Sequence, residues 1–127
     1  MKVLKFGGTS VGSVNSILSV KKIVEAIEEP VIVVVSALGA SPINCWPLLP
    51  WLLKATLLRE RIIGDHRRHL DVIEGVIEDK EVRMDVQKKV MALLDELSNI
   101  FKGVYLINDL SAKTSDTIVS YGERLSS

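Results

Sequence analysis

Pro30-Val31-Ile32-Val33-Val34-Val35-Ser36 is the stretch that decides the fold. Five β-branched residues in succession favour extended backbone and suit a strand covered on both faces, as in a parallel sheet. Pro30 cannot continue a helix, so any helix before it must stop short. Upstream, Ile17, Leu18, Val20, Ile23, Val24 and Ile27 recur at helical spacing, with Glu25, Glu28 and Glu29 on the other face. Further upstream, residues 3–6 form a short apolar run that stops at Gly7-Gly8, a buried strand followed by a tight turn. Strand, glycine turn, helix, strand is a βαβ unit, which predicts a parallel sheet with a right-handed crossover.

Downstream, Leu70, Ile73, Val76 and Ile77 are helically spaced, with Glu74 and Glu78 outward. A second amphipathic helix carries Val86, Val90, Leu93, Leu94, Leu97, Ile100 and Phe101, and Gly103 is the expected stop signal. Residues 104–110 read as a short strand or an extended connection. Residues 111–114 carry capping side chains, and Ser115-Asp116 opens a last helix that reaches Glu123 and Arg124. A helix that stops beside a charged pair, with no closing strand after it, is expected of an interrupted domain.

The chain has 127 residues, enough for one compact domain, with 47% hydrophobic and 25% charged residues. Lys plus Arg is 16 and Asp plus Glu is 16, so no basic excess points to nucleic acid. Cys45 is the only cysteine, which excludes an internal disulfide and fits a reducing cytoplasm. No signal-peptide core and no apolar run of the roughly 20 residues that a membrane span needs is present.

Three clusters carry potential chemistry. In Lys5-Phe6-Gly7-Gly8-Thr9-Ser10, glycines let backbone N–H groups approach an anion, Thr9 and Ser10 sit where a helix is expected to begin, and Lys5 adds a cation. A plain glycine turn with a capping hydroxyl and a solvated Lys is the alternative, which spacing alone slightly favours. The order is not that of a P-loop, because the Lys precedes the glycines. Ser36, at the carboxyl end of the second strand, stands where ligands bind in open parallel sheets, though an ordinary strand-to-loop transition would look the same. In Ser120-Tyr121-Gly122-Glu123-Arg124-Leu125-Ser126, a Gly inside a helix costs about 1 kcal/mol. Glu123 there is either half of an exposed ion pair or a carboxylate for a substrate ammonium. His66, His69, Asp65 and Asp71 have loosely metal-like spacing without a fixed ligand pattern, and a solvated helix face is the expected reading. No metal ligand is assigned.

Taken together the clusters resemble the aspartate kinase family of the amino-acid kinase fold. Lys5-Phe6-Gly7-Gly8-Thr9-Ser10-Val11-Gly12 is similar to its N-terminal signature, Val33-Val34-Val35-Ser36-Ala37 to its second-strand motif, and the run from Ser120 to its third. Thr114-Ser115-Asp116 fits as well. Residues 1–39 and 66–127 carry the resemblance, which leans toward the kinase part of bifunctional aspartokinase–homoserine dehydrogenases. The run at Tyr121-Gly122-Glu123-Arg124 argues against carbamate, glutamate or uridylate kinases. The resemblance implies a three-layer α/β/α amino-acid kinase-like domain with a mainly parallel sheet, truncated, with residues 1–127 forming its N-terminal part. It implies ATP-dependent phosphorylation of the L-aspartate β-carboxylate, on the route to threonine, methionine and lysine. ATP with Mg2+ is the implied co-substrate, in a cytoplasmic, homo-oligomeric parent.

By position, Lys5 would neutralise charge on the transferring phosphoryl group. Gly7, Gly8 and Thr9 would lie along the phosphates, Ser36 would hold the reacting end of the substrates, and Glu123 would bind the aspartate ammonium. The family's adenine-binding elements, regulatory domains and any dehydrogenase fall beyond residue 127. The chain alone is therefore expected to be inactive; a non-catalytic truncated product or binding module of the same fold is the alternative.

Residues 40–65 depart from the family. Both tryptophans, Cys45 and three of the four prolines fall between residues 40 and 51. Where the family has Gly-Ile-Thr-Asp and a substrate-contacting Thr, this chain has Ala40-Ser41-Pro42-Ile43. One G restored before Ala40 turns a compatible coding of residues 40–47 into Gly-Ile-Thr-Asp-Lys-Leu-Leu-Ala, so a reading-frame shift is the favoured explanation over divergence.

Overall fold

The computed structural model describes residues 1–38, 54–107 and 111–127, the side chains of residues 54–62 excepted. The order is β1 (Lys2–Phe6), α1 (Val14–Glu25), β2 (Val31–Val35), α2 (Lys54–Val76), α3 (Lys80–Ile107) and α4 (Ala112–Ser126). This is an α/β chain, rich in helix. Residues 40–53, where the frame-shift reading mainly falls, lie outside the described residues.

β1 and β2 pair in parallel, Lys2 with Val31 through Phe6 with Val35. The Lys2 N–H donates to the Pro30 carbonyl at 3.1 Å and the Ser36 N–H to the Phe6 carbonyl at 3.0 Å, so the ladder runs one residue past each end of β2. Even-numbered residues of β1 thus face β2, and the N–H groups of Val3, Lys5 and Gly7 point away from it. Between them α1 starts on Ser13, whose Oγ accepts from the Ser16 N–H at 3.2 Å, and closes at Ala26 ahead of Pro30.

The sheet is not covered on both faces among the described residues. Val3, Ile32, Val33 and Val34 are 64, 48, 40 and 44% exposed. The β-branched run secures the extended backbone, but covering it needs a further layer, and the described sheet has two strands.

The core lies instead between the long helices. Val90, Leu94, Leu97, Phe101 and Val104 of α3 recur at three- and four-residue spacing and pack with Ile73 of α2 and Ile118, Tyr121 and Leu125 of α4. Asp79 caps α3 by accepting from the N–H groups of Glu81 and Val82, and Arg83 donates back to the Ile77 and Glu78 carbonyls, closing the α2–α3 turn. Gly103 does not end α3, and residues 104–107 are neither strand nor extended. Val104 is the next position of the buried stripe, so packing carries the helix through a glycine that costs about 1 kcal/mol. Residues 108–110 lie outside the described set. α4 starts earlier than Ser115, at Ala112, because the Ser111 side chain accepts from the Thr114 N–H at 3.1 Å.

α2 also reaches the first half of the chain. A Cβ on Gly75 would stand 2.7 Å from both methyls of Val14, so the start of α1 presses on α2 where only glycine leaves room.

Candidate functional site

Parallel pairing brings the carboxyl ends of β1 and β2 together, and with them Lys5, Gly7, Gly8, Thr9 and Ser36. Lys5 pairs in register with Val34, and Ser36 is two residues further along the same strand. Side-chain alternation therefore places Lys5 and Ser36 on one face of the sheet. Lys5, Gly7 and Thr9 are exposed, Gly8 and Ser36 half-buried, and the rim behind them is packed with buried Val11, Ala37 and Leu38.

The Ser10 N–H closes the turn on the Gly7 carbonyl at 2.9 Å. The N–H groups of Gly7, Gly8 and Thr9 take no backbone acceptor among the described residues. No neighbour stands within 4 Å of a Cβ added to Gly7. Packing therefore does not require glycine there, and the space beside the turn is open.

Thr9 and Ser10 do not sit at the helix start. α1 begins at Val14, and Ser13 rather than Thr9 or Ser10 caps it. The turn is longer than two glycines: Val11 turns inward and is buried before the helix can begin. Any anion at residues 7–9 would be met by turn amides and Lys5, not by the first turn of α1.

Glu123 comes from a different element, α4. It is exposed on α4, and no hydrogen bond or ion pair joins its side chain to Lys5, Thr9 or Ser36 among the described residues. Its neighbours dock the helix. Tyr121 donates its hydroxyl to Glu96 Oε2 of α3 at 3.0 Å, and Arg124 lies 4.0 Å from the same oxygen and 4.5 Å over the Tyr121 ring. The Glu-Arg pair is thus not an ion pair with itself. Gly122 is buried with Ile118, Tyr121 and Leu125 on the packed face of α4.

Asp65 and His69 are not on a solvated face; each is 4% exposed. His69 Nδ1 donates to the Asp65 carbonyl at 2.8 Å, and burial lowers its pKa despite that bond. The recurrence of residues 65, 69 and 73 marks the inner face of α2 and is the signal that could have revealed this. Among the described residues no cluster of three His, Cys, Asp or Glu could hold a metal. Arg68, which sequence reasoning passed over, donates from Nη2 to the Gly12 carbonyl at 3.1 Å. No helix of the described residues is long and apolar enough to cross a membrane.

The fold has known counterparts. Crystal structures of E. coli aspartokinase III, one with aspartate and ADP and one with lysine and aspartate, match 99% of this chain and 27% of theirs. Their TM-scores are 0.82 and 0.81, at 24% identity, so the α/β fold is shared. By sequence, the chain is 28% identical to aspartokinase 1 and 29% to aspartokinase 3, both chloroplastic, from Arabidopsis thaliana. It is 27% identical to the bifunctional aspartokinase/homoserine dehydrogenase of Buchnera aphidicola. These alignments take in 98, 98 and 99% of the chain. These curated relatives support a place for the chain in the aspartate kinase family. The chain spans about a fifth of their length, 21, 22 and 16%. Their similar identities do not single out the bifunctional kind. No family model matches the chain.

Proposed function

We propose that this chain is the N-terminal part of an aspartate kinase whose parent transfers the γ-phosphoryl group of ATP to the β-carboxylate of L-aspartate. The observation that carries the reading is the convergence of Lys5, the amides of residues 7–9, which take no backbone acceptor among the described residues, and Ser36 at the ends of two paired parallel strands. A cation and preorganised N–H donors are what a transferring phosphoryl group requires, because charge grows on its oxygens. The donor set suits phosphate and includes no carboxylate, so Mg2+ would arrive on the ATP phosphates, where it neutralises their charge. Lys5 would draw charge from the transferring group, Gly7, Gly8 and Thr9 would line the phosphates, and Ser36 would steady the reacting carboxylate. Glu123, exposed and without a cation partner among the described residues, would take the aspartate ammonium. The three-layer amino-acid kinase architecture belongs to the same reading: the edges and exposed faces that the β1–β2 sheet shows among the described residues are where further strands and helices would add.

The test is ATP-dependent formation of aspartyl hydroxamate by the 127-residue chain and by a product extended along its own frame past Ser127. No turnover is expected from the chain alone and turnover from the extended product. Lys5→Met should lower kcat by about 100-fold or more. An extended product that binds aspartate and ATP without turnover would favour the non-catalytic alternative, and one that binds neither would overturn the reading. Resequencing the DNA from the Ser36 codon onward tests the frame shift: a recovered G before Ala40 supports it, and an unchanged read removes it.

A further inference from the structure

We propose that Arg68 is a positioning residue: from α2 it holds the Gly12 carbonyl and thereby sets the shape of the turn at residues 7–13. That this shape serves an anion rests on the functional reading above; the hold itself does not. Four observations converge on it. The Arg68 Nη2 to Gly12 hydrogen bond joins residues 56 apart in sequence and is partly buried, where a guanidinium bond to a carbonyl is stronger than in water. Two residues after Gly12, Val14 is seated against Gly75 so closely that a Cβ there would stand 2.7 Å from its methyls. Arg68 and Gly75 are seven residues apart, two turns of α2, so one side of the helix grips the turn at two points. Next to Arg68, His69 and Asp65 are buried, which ties this stretch of α2 to the interior. Among the described residues the turn has one internal backbone bond, Ser10 to Gly7, and its glycines leave the backbone loose unless something outside constrains it.

The proposal separates two roles of α2. One is to contribute Ile73 to the helical core. The other is to hold the amides of Gly7, Gly8 and Thr9 in the geometry that a phosphate would meet. Arg68 serves the second, because it donates from α2 to the Gly12 carbonyl of the turn.

The experiment is amide NMR on the chain, wild type against Arg68→Gln and Arg68→Lys, followed by titration of each with inorganic tripolyphosphate. In Arg68→Gln, the amide signals of residues 7–13 should shift and become more mobile while those of Leu94 and Ile118 stay in place; Arg68→Lys, which can still donate to Gly12, should restore part of the wild-type pattern. Unchanged turn signals in Arg68→Gln overturn the proposal, as does a collapse of the Leu94 and Ile118 signals in both variants, which would make Arg68 a general structural residue. Gly75→Ala supplies an independent check, since displacing Val14 should disturb the same turn amides. The titration separates the two claims. Tripolyphosphate that moves residues 7–9 in the wild type and binds about tenfold more weakly to Arg68→Gln supports both. No response in the wild type, with the turn signals shifted in Arg68→Gln, removes the phosphate reading and leaves the hold of Arg68 on the turn standing.

Discussion

The three long helices and the β1–α1–β2 unit solve the problem of apolar surface in opposite ways. In α2–α4 the apolar stripes face one another, and Leu94 and Ile118 are 1 and 0% exposed. In the β unit the most β-branched stretch of the chain is left between 40 and 48% exposed at Ile32, Val33 and Val34. The candidate site sits on the poorly covered unit, and α2 joins it to the well-packed one. Stability is thus concentrated away from the site, and the site inherits its shape from the helices through Arg68 and Gly75.

The largest expected effect tests the packed half. Leu94→Ala should cost about 2–5 kcal/mol in chemical denaturation, whereas Val34→Thr should stay within about 0.5 kcal/mol. A Val34→Thr loss comparable with Leu94→Ala would mean that the sheet face is covered in solution. The junction comes next. Gly75→Ala should destabilise by about 1–3 kcal/mol because Val14, β-branched and stiff, cannot swing clear. Gly103→Ala meets nothing within 4 Å and should stabilise by up to about 1 kcal/mol. Equal effects at the two glycines would deny the close approach of α1 and α2. Smaller still, Tyr121→Phe removes the hydroxyl bond to Glu96 and should cost about 1 kcal/mol in thermal melts.

The pH dependence of stability should carry a mark of His69. Its folded-state pKa lies below the unfolded value, so the unfolded chain binds the extra proton first. Stability is then full above the unfolded pKa of about 6.5 and falls as pH drops from there toward the lowered folded value. His69→Gln should flatten that slope; an unchanged slope would place its origin elsewhere.

Local signals carried much of the architecture. Val31–Val35 reads as a strand because β-branching disfavours the alternatives, and the helical stripe of α3 is visible from Val86 to Phe101. Lys5, Gly7, Gly8, Thr9 and Ser36 were legible as a cluster because parallel pairing of two strands must bring their carboxyl ends together. Glu123 was legible only as a motif member, and no hydrogen bond or ion pair joins its side chain to that cluster among the described residues. Errors arose where distant contacts outweigh local preference. Gly103 looks like a stop until Val104 is packed against the other helices. Thr9 and Ser10 look like helix starts until Val11 turns inward. His69 looks solvated until α2 lies on its neighbours.

By itself the sequence determined the βαβ order, the parallel sheet, the amphipathic helices and the three motif clusters, because β-branching, helical periodicity and glycine freedom act over a few neighbouring residues. Only the tertiary structure decided that the core lies among α2, α3 and α4, that Asp65 and His69 turn inward, that Arg124 and Tyr121 meet Glu96, and that Arg68 and Gly75 hold the glycine turn. Each of those depends on which surfaces meet across tens of residues, and a hydrogen bond such as that from Arg68 to Gly12 leaves no trace in local spacing.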